Sequence, residues 1–349
     1  DGTVALFRPE QNARRLNASA RRMAMPELPE ELFMESIRQL VAKDRAWMPT
    51  VEGGSLYLRP FMFATEAFLG VRPAREYLYC LIASPVGSYF KSGVKPVDVW
   101  VSRDHTRAAP GGTGAAKAGG NYAASLVPLA EGTKHGCQQT VFLDAIEKKW
   151  VEELGGMNLF FVFADGSAVP PPLTGTILPG ITRDSLIQML RDEGLQVREE
   201  PYSIDQWHAD AQKGDLIETF ACGTAAVVTP VGSVNGPDGK FTIGTGGTGQ
   251  LTQKLRDRLG GGLPSLRPAS RTMFRPASFA SYSAASARSI IERGERSARL
   301  RSVTPMLTVT EERRRSPTDT RRSAIARRAP SAMRKADCSS VPSRTAMNS

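Results

Sequence analysis

Lys117 sits where a lysine is seldom found, inside a run of glycines and alanines. Gly111-Gly112-Thr113-Gly114-Ala115-Ala116 precede it and Ala118-Gly119-Gly120-Asn121-Tyr122 follow, so nothing else from Pro110 to Asn121 carries charge. A lysine packed inward loses water and its amine becomes neutral and nucleophilic near neutral pH, which suits Schiff-base chemistry with an aldehyde. Glycines let a backbone approach a ligand closely and adopt positive φ. The same composition also describes a slack surface loop with its lysine in water, so other residues have to decide. Three features point to a phosphorylated ring as the ligand. Ile181-Thr182 stands where a helix begins, and free N–H groups at a helix start bind phosphate; an ordinary helix cap would look alike. Thr224, after Cys222-Gly223, offers a hydroxyl and an N–H at a break in a strand, or a plain bulge. Glu153, in Glu152-Glu153-Leu154-Gly155-Gly156-Met157-Asn158, is a carboxylate among small and apolar neighbours, or a solvated loop charge.

These residues need elements to hold them. Residues 3–8 read as a strand ending at Arg8-Pro9, followed by an Arg-rich helix through Asn17–Arg22. Pro29 opens a second helix, with Phe33, Ile37, Leu40 and Val41 on one face. Val51–Pro60, Glu76–Pro85 and Val97–Val101 have strand composition. After the lysine loop, Asn121–Gly132 reads as a helix bent at Pro128. Thr140–Asp144 and Asn158–Phe163 read as strands, and Asp165-Gly166 as a hairpin turn before Ser167–Val169. A helix over Arg183–Glu193 closes at Gly194. Val197–Ser203 reads as a strand, Asp205 as the cap of a helix ending at Lys213, Ile217–Val231 as strand interrupted at Cys222-Gly223-Thr224, and Gly249–Leu259 as a closing helix. Strands, hairpins and helices mixed in this way form an α+β pattern, and no GxGxxG follows a strand.

The net charge of +10 over 349 residues suggests a nucleic-acid binder until it is divided along the chain. Residues 260–349 hold 18 of the 45 basic and 6 of the 35 acidic residues, a balance of +12, which leaves −2 for residues 1–259. That tail is rich in Arg, Ser, Ala and Pro without a sustained apolar period, a composition expected to stay disordered. Cys80, Cys137, Cys222 and Cys338 are far apart, with no metal-ligand or disulfide spacing, and read as free thiols in a reducing compartment. No apolar run approaches the length of a membrane span and no signal peptide opens the sequence, so a cytoplasmic location is expected.

In order and spacing, the blocks Ser55-Leu56-Tyr57-Leu58-Arg59-Pro60, Arg107 to Tyr122, Glu153 to Asn158, Leu178-Pro179-Gly180-Ile181-Thr182-Arg183 and Gly223-Thr224-Ala225 resemble the branched-chain amino acid aminotransferases, class IV pyridoxal-phosphate enzymes of fold type IV. The resemblance covers roughly residues 1–259. It implies that Lys117 joins the cofactor aldehyde and then moves the substrate's Cα proton, that Glu153 pairs with the pyridine nitrogen, and that Tyr122 bonds the ring's phenolic oxygen. It implies that Arg8, Ile181, Thr182 and Thr224 hold the phosphate, with Arg107 nearby, and that Tyr57, Arg59, Thr224 and Ala225 meet the substrate carboxylate. The implied reaction moves the amino group of L-leucine, L-isoleucine or L-valine to 2-oxoglutarate. The small-molecule substrates would be the partners, with a homodimer and no membrane or nucleic acid.

The two-domain architecture expected from the resemblance places a small N-terminal domain at 1–95, a linker at 96–110, the large cofactor domain at 111–259 and the tail at 260–349. The small domain is expected to be incomplete, because the family has strands before the position of Asp1. The change after Leu259 is what a reading-frame shift would produce. Two other functions remain: a D-amino acid aminotransferase or aminodeoxychorismate lyase of the same family, which generally lack the long block at 111–122, and an inactive scaffold whose basic tail, with Arg313-Arg314-Arg315 and Arg327-Arg328, binds anionic partners.

Overall fold

The structure is a computed structural model that describes residues 4–51, 54–86, 95–225, 227–260, 271–274 and 299–302. The chain divides into one unit over residues 1–305 and a second over 306–349, all of which lies outside the described residues. Strand β1 (Val4–Phe7) ends at Arg8, whose left-handed backbone (φ 44, ψ 52) turns the chain into helix α1 (Pro9–Arg22). Proline fits the first helical position because its missing N–H would have no partner there. Asn17 of α1 exchanges two hydrogen bonds with Leu28, one through Oδ1 and one through Nδ2, and so ties α1 to the start of α2 (Glu30–Lys43). Phe33, Ile37, Leu40 and Val41 are buried, as their spacing predicts. They join Val4, Ala13 and Leu28 in a core against the antiparallel pair β2 (Ser55–Ala64) and β3 (Glu76–Val86), which contributes Leu56, Leu58, Tyr79 and Leu81.

The larger sheet closes on itself. Its strands are β4 (Val97–Ser102), β5 (Gln139–Leu143), β6 (Val151–Leu154), β7 (Met157–Phe163), β8 (Ser167–Val169), β9 (Gln196–Val197), β10 (Leu216–Gly223), β11 (Val227–Gly236) and β12 (Gly239–Thr242). The order β10-β11-β4-β5-β6-β7 is completed by β7 pairing back to β10, so six strands form a ring with β8, β9 and β12 appended. Alternation along the strands serves two cores. Leu154, Leu159, Phe161 and Ala221 pack towards Trp207 of α6 (Ile204–Lys213), whereas Phe160, Val162, Phe220 and Cys222 meet Leu186, Ile187 and Leu190 of α5 (Ile181–Asp192) and Leu255 of α7 (Gln250–Gly260). Burying each of the Val, Leu, Ile and Phe side chains contributes about 1.5–3 kcal/mol.

The α+β expectation holds. Several local expectations need correction. The segment 121–132 is two helices, α3 (Gly119–Ala123) and α4 (Leu126–Lys134), broken at Ala124-Ser125. Pro128 causes no bend, because it lies in the first turn of α4, where its missing N–H costs nothing. Val197–Ser203 pairs with β8 only at its start and leaves that ladder before Pro201, which has no N–H to offer, while Ser203 at its end makes an isolated antiparallel bridge to Trp150. The cap of α6 is Ser203, not Asp205: its hydroxyl accepts from Gln206 N while the Gln206 side chain returns to Ser203 N. Glu152-Glu153 lies in strand β6 and not in a loop. Within the tail, Arg271–Phe274 pairs antiparallel with β1 and Arg299–Ser302 pairs parallel with β3; the other tail residues, with both arginine clusters, lie outside the described residues.

Candidate active site

Strand register builds the buried part of the site. Glu153 of β6 lies directly opposite Asn158 of β7, which lies opposite Cys222 of β10, so the three side chains form a row on the sheet face that carries α5. Asn158 Nδ2 donates to Glu153 Oε1 and to the Leu178 carbonyl, both at 3.0 Å. Arg107, equally buried, places Nη1 2.6 Å from Glu153 Oε2 and donates to Thr176 O at 2.8 Å. Among the described residues Glu153 Oε2 accepts no aligned hydrogen bond, its close contact with Arg107 being an ion pair. Burial, the dominant effect, pushes the Glu153 carboxyl up to about 8 against the pull of Arg107 and Lys117. The close ion pair alone argues for the opposite direction. We assign the raised one, because both groups are out of water and the charge of Arg107 also acts on Glu152.

The lysine loop is not slack. Asn121 Nδ2 donates to Thr113 O and Ala116 O, Thr113 Oγ1 donates to Asn121 Oδ1, and Ala115 N donates to Gly175 O. Gly114 lies so close to Thr176 that a Cβ there would stand 2.2 Å from its carbonyl oxygen. The Lys117 side chain itself is exposed, so its setting does not come from inward packing. Its Nζ donates to the Tyr122 hydroxyl at 2.6 Å. The Tyr122 ring rests on Gly156, where a Cβ would come within 2.9 Å of Cε1, and Gly156 joins the strands of Glu153 and Asn158. Lys117 is therefore linked through Tyr122 to Gly156, in the turn that follows the strand of Glu153.

A second cluster suits an anion. Helix α5 begins at Ile181 with no side chain capping its first turn, which leaves the N–H groups of Ile181, Thr182 and Arg183 directed outwards. Gly180 before it has no room for a side chain: a Cβ would lie 2.2 Å from Asn158 Oδ1. Arg8 reaches this helix end, donating to Ser185 Oγ at 2.8 Å and pairing with Asp184 Oδ2 at 2.6 Å. Its left-handed backbone is costly for a residue with a Cβ and is the kind of strain found where a side chain must be aimed. Thr224 and Ala225 form an exposed turn between β10 and β11, next to Gly223, which lies against Met157.

Lys117, Tyr122, Glu153 and Arg107 are thus brought together, as are Arg8, Ile181 and Thr182, with Thr224 and Ala225 on a neighbouring turn. Tyr57 and Arg59 stand on the face of β2 opposite Leu56 and Leu58, with the Arg59 guanidinium 5.4 Å from the Tyr57 ring. Neither bonds to the lysine loop among the described residues. Asn158, Thr176 and Ser185 were not singled out from sequence. Asn158 had a usable signal, an amide directly after a Gly-Gly turn, whereas Thr176 and Ser185 carry none outside the fold.

Known proteins resemble this chain over about three quarters of its length. The family described as amino-transferase class IV matches residues 1–234. A branched-chain-amino-acid aminotransferase of Mycolicibacterium smegmatis is 58% identical over 265 residues, which cover 75% of this chain and 72% of that protein. The solved structure of the Escherichia coli branched-chain amino acid aminotransferase aligns with a TM-score of 0.63 and 31% identity over 78% of this chain and 84% of its own. The T.th. enzyme of that name, complexed with N-(5'-phosphopyridoxyl)-L-glutamate, aligns with a TM-score of 0.59 and 29% identity over 77% and 83%.

Proposed function

The chain belongs to the class IV aminotransferases, pyridoxal-phosphate-dependent transferases that include the branched-chain amino acid enzymes, and on that premise we propose that it carries the amino group of L-leucine, L-isoleucine or L-valine to 2-oxoglutarate. The observation that carries the reading is the Glu153 carboxyl, buried beside the lysine loop, whose Oε2 is ion-paired with Arg107 but accepts no hydrogen bond among the described residues. A carboxyl that holds a proton near neutral pH fits a ring nitrogen with which that proton can be shared. The α5 start, with Arg8 beside it and no space for a Cβ at Gly180, fits the phosphate. When bound, pyridoxal phosphate supplies an electron-withdrawing ring that stabilises negative charge at the substrate's α-carbon.

The chain's own residues then divide the work. Lys117 Nζ takes the proton from Cα and holds it until it is returned, acting as general base and acid. Tyr122 orients that amine through its hydroxyl, and Glu153 holds positive charge at the ring nitrogen, kept in place by Asn158 and Arg107. Arg8 and the N–H groups of Ile181 and Thr182 bind the phosphate, with the Thr224 hydroxyl added from its turn and Arg107 bracing the shell. Tyr57, Arg59 and the N–H groups of Thr224-Ala225 receive the substrate carboxylate. The glutamate adduct of the T.th. enzyme supports 2-oxoglutarate as acceptor.

A homodimer is part of the proposal, and the exposed Leu126 and Val127 of α4, just after Tyr122, offer an apolar face for it. The domain division at residues 95, 110 and 259 is likewise proposed. Among the described residues no helix is long and apolar enough to cross a membrane. The deciding assay measures 2-oxoglutarate-dependent consumption of L-leucine against D-alanine, with borohydride reduction and peptide mapping of the lysine that retains pyridoxal phosphate. L-leucine turnover with label on Lys117 is expected. Turnover of D-alanine alone, or label on another lysine, would refute the assignment.

A further inference from the structure

Helix α1 grips the lysine loop at points that the proposed chemistry does not use. The Lys117 backbone N–H donates to Ser19 Oγ at 2.9 Å, while the same hydroxyl donates its only proton to the Arg15 carbonyl at 2.9 Å. With that proton committed to its own helix, the hydroxyl can serve Lys117 only as an acceptor. Ser19 is 6% exposed, so water does not readily replace it. Three residues on, and therefore on the same side of the helix, Arg22 donates Nη2 to Gly111 O at 2.6 Å and Nε to Gly112 O at 3.1 Å. The loop is held from α1 both at its first two glycines and at the lysine itself. The opposite end of α1 carries Arg8, aimed at the start of α5.

We infer that Ser19 is a positioning residue for Lys117, and that with Arg22 it forms a clamp through which α1 sets where the amine stands relative to the anion-binding end of the site. What the amine does once placed rests on the aminotransferase reading; the clamp rests on the hydrogen bonds alone. A hydroxyl that merely packed a helix against a loop would soften its surroundings evenly when removed. A clamp would release the lysine segment in particular, and a second variant on the same face would release that segment too.

The test uses the full chain as wild type, Ser19→Ala, Ser19→Thr and Arg22→Ala. Hydrogen exchange is followed on the cofactor-free protein over residues 112–119, and fixation of pyridoxal phosphate at Lys117 is followed by borohydride reduction and peptide mapping. Loss of one buried hydrogen bond corresponds to roughly a tenfold faster exchange. Ser19→Ala is expected to show that change in this peptide and several-fold slower fixation. Ser19→Thr, which keeps the hydroxyl, is expected within about twofold of wild type, and Arg22→Ala is expected to give a smaller change in the same peptide. Melting temperatures identify a misfolded Ser19→Ala, in which case Arg22→Ala, altered at an exposed contact, decides. Exchange and fixation unchanged in both alanine variants would overturn the clamp, as would Ser19→Thr behaving like Ser19→Ala. Wild type that fixes no pyridoxal phosphate at Lys117 would overturn the aminotransferase reading instead, and the exchange measurements would still judge the clamp.

Discussion

Glu153→Gln separates two effects that act on one carboxyl in opposite directions. Burial raises its proton affinity to about 8, while Arg107 at 2.6 Å favours the ionised form. In the unfolded chain the group titrates near the ordinary value of 4.5. If burial wins, the folded protein holds a proton over an interval in which the unfolded chain has released it. The stability contributed by that proton is then fully present below about pH 4.5 and is lost as the pH rises through about 8. At 1.36 kcal/mol per pH unit the interval sets a ceiling of roughly 5 kcal/mol, which relaxation around a buried pair brings down to roughly 3. Glutamine keeps an acceptor for Asn158 and does not titrate. In urea titrations of cofactor-free protein, the variant should therefore gain roughly 3–5 kcal/mol on wild type between pH 5 and pH 8.5. A difference that stays flat, with the variant less stable throughout by the roughly 3–5 kcal/mol of a broken buried pair, would show that Arg107 keeps Glu153 ionised and would refute the reasoning. With pyridoxal phosphate bound, the same substitution should lower kcat by about 10²–10³.

Two further substitutions test the frame of the site. Gly180→Ala would drive a methyl into Asn158 Oδ1 and shift the amide that serves both Glu153 and Leu178 O; equilibrium binding should show pyridoxal phosphate held about 10–100-fold more weakly, a loss of about 1–3 kcal/mol. Glu218 of β10 caps α7, accepting from Leu251 N, Thr252 N and Thr252 Oγ1 at 2.7–3.0 Å. Glu218→Ala should cost about 2–3 kcal/mol in urea unfolding and Glu218→Gln roughly half of that, with the loss independent of added cofactor.

The parts of this protein that were legible in sequence are those whose signal is local. Phe33, Ile37, Leu40 and Val41 repeat at helical spacing and are buried together; Asp165-Gly166 turns a hairpin; Gly194 ends α5 at a positive φ of 87. Lys117 and Glu153 could be named because each is a charge in an apolar or small-residue setting. Their relation was not legible, since it depends on Glu153 being in a strand and on Tyr122 resting across Gly156, both consequences of long-range pairing. Pro128 misled because a proline's effect depends on whether its N–H was needed, which only the helix boundary decides. Asp205 misled in the same way: Ser203 and Gln206 satisfied each other two residues earlier. Ser19 was invisible for a further reason, being one serine on a polar helix until the lysine loop is folded against it.

The row formed by Glu153, Asn158 and Cys222 limits how this site can be borrowed or lost. Successive residues of a strand face opposite sides, so a slip of one position in β6 would put Leu154 under α5 and turn Glu153 into the apolar core around Trp207. A protein engineer who copied the Glu153–Asn158 motif into another scaffold would transfer letters without geometry. The smallest portable unit is three strands in register with α5 behind them. Drift in evolution faces the same barrier: insertions at the Gly155-Gly156 turn that change its length by one residue reverse the carboxylate, so loop length there is under tighter constraint than loop composition.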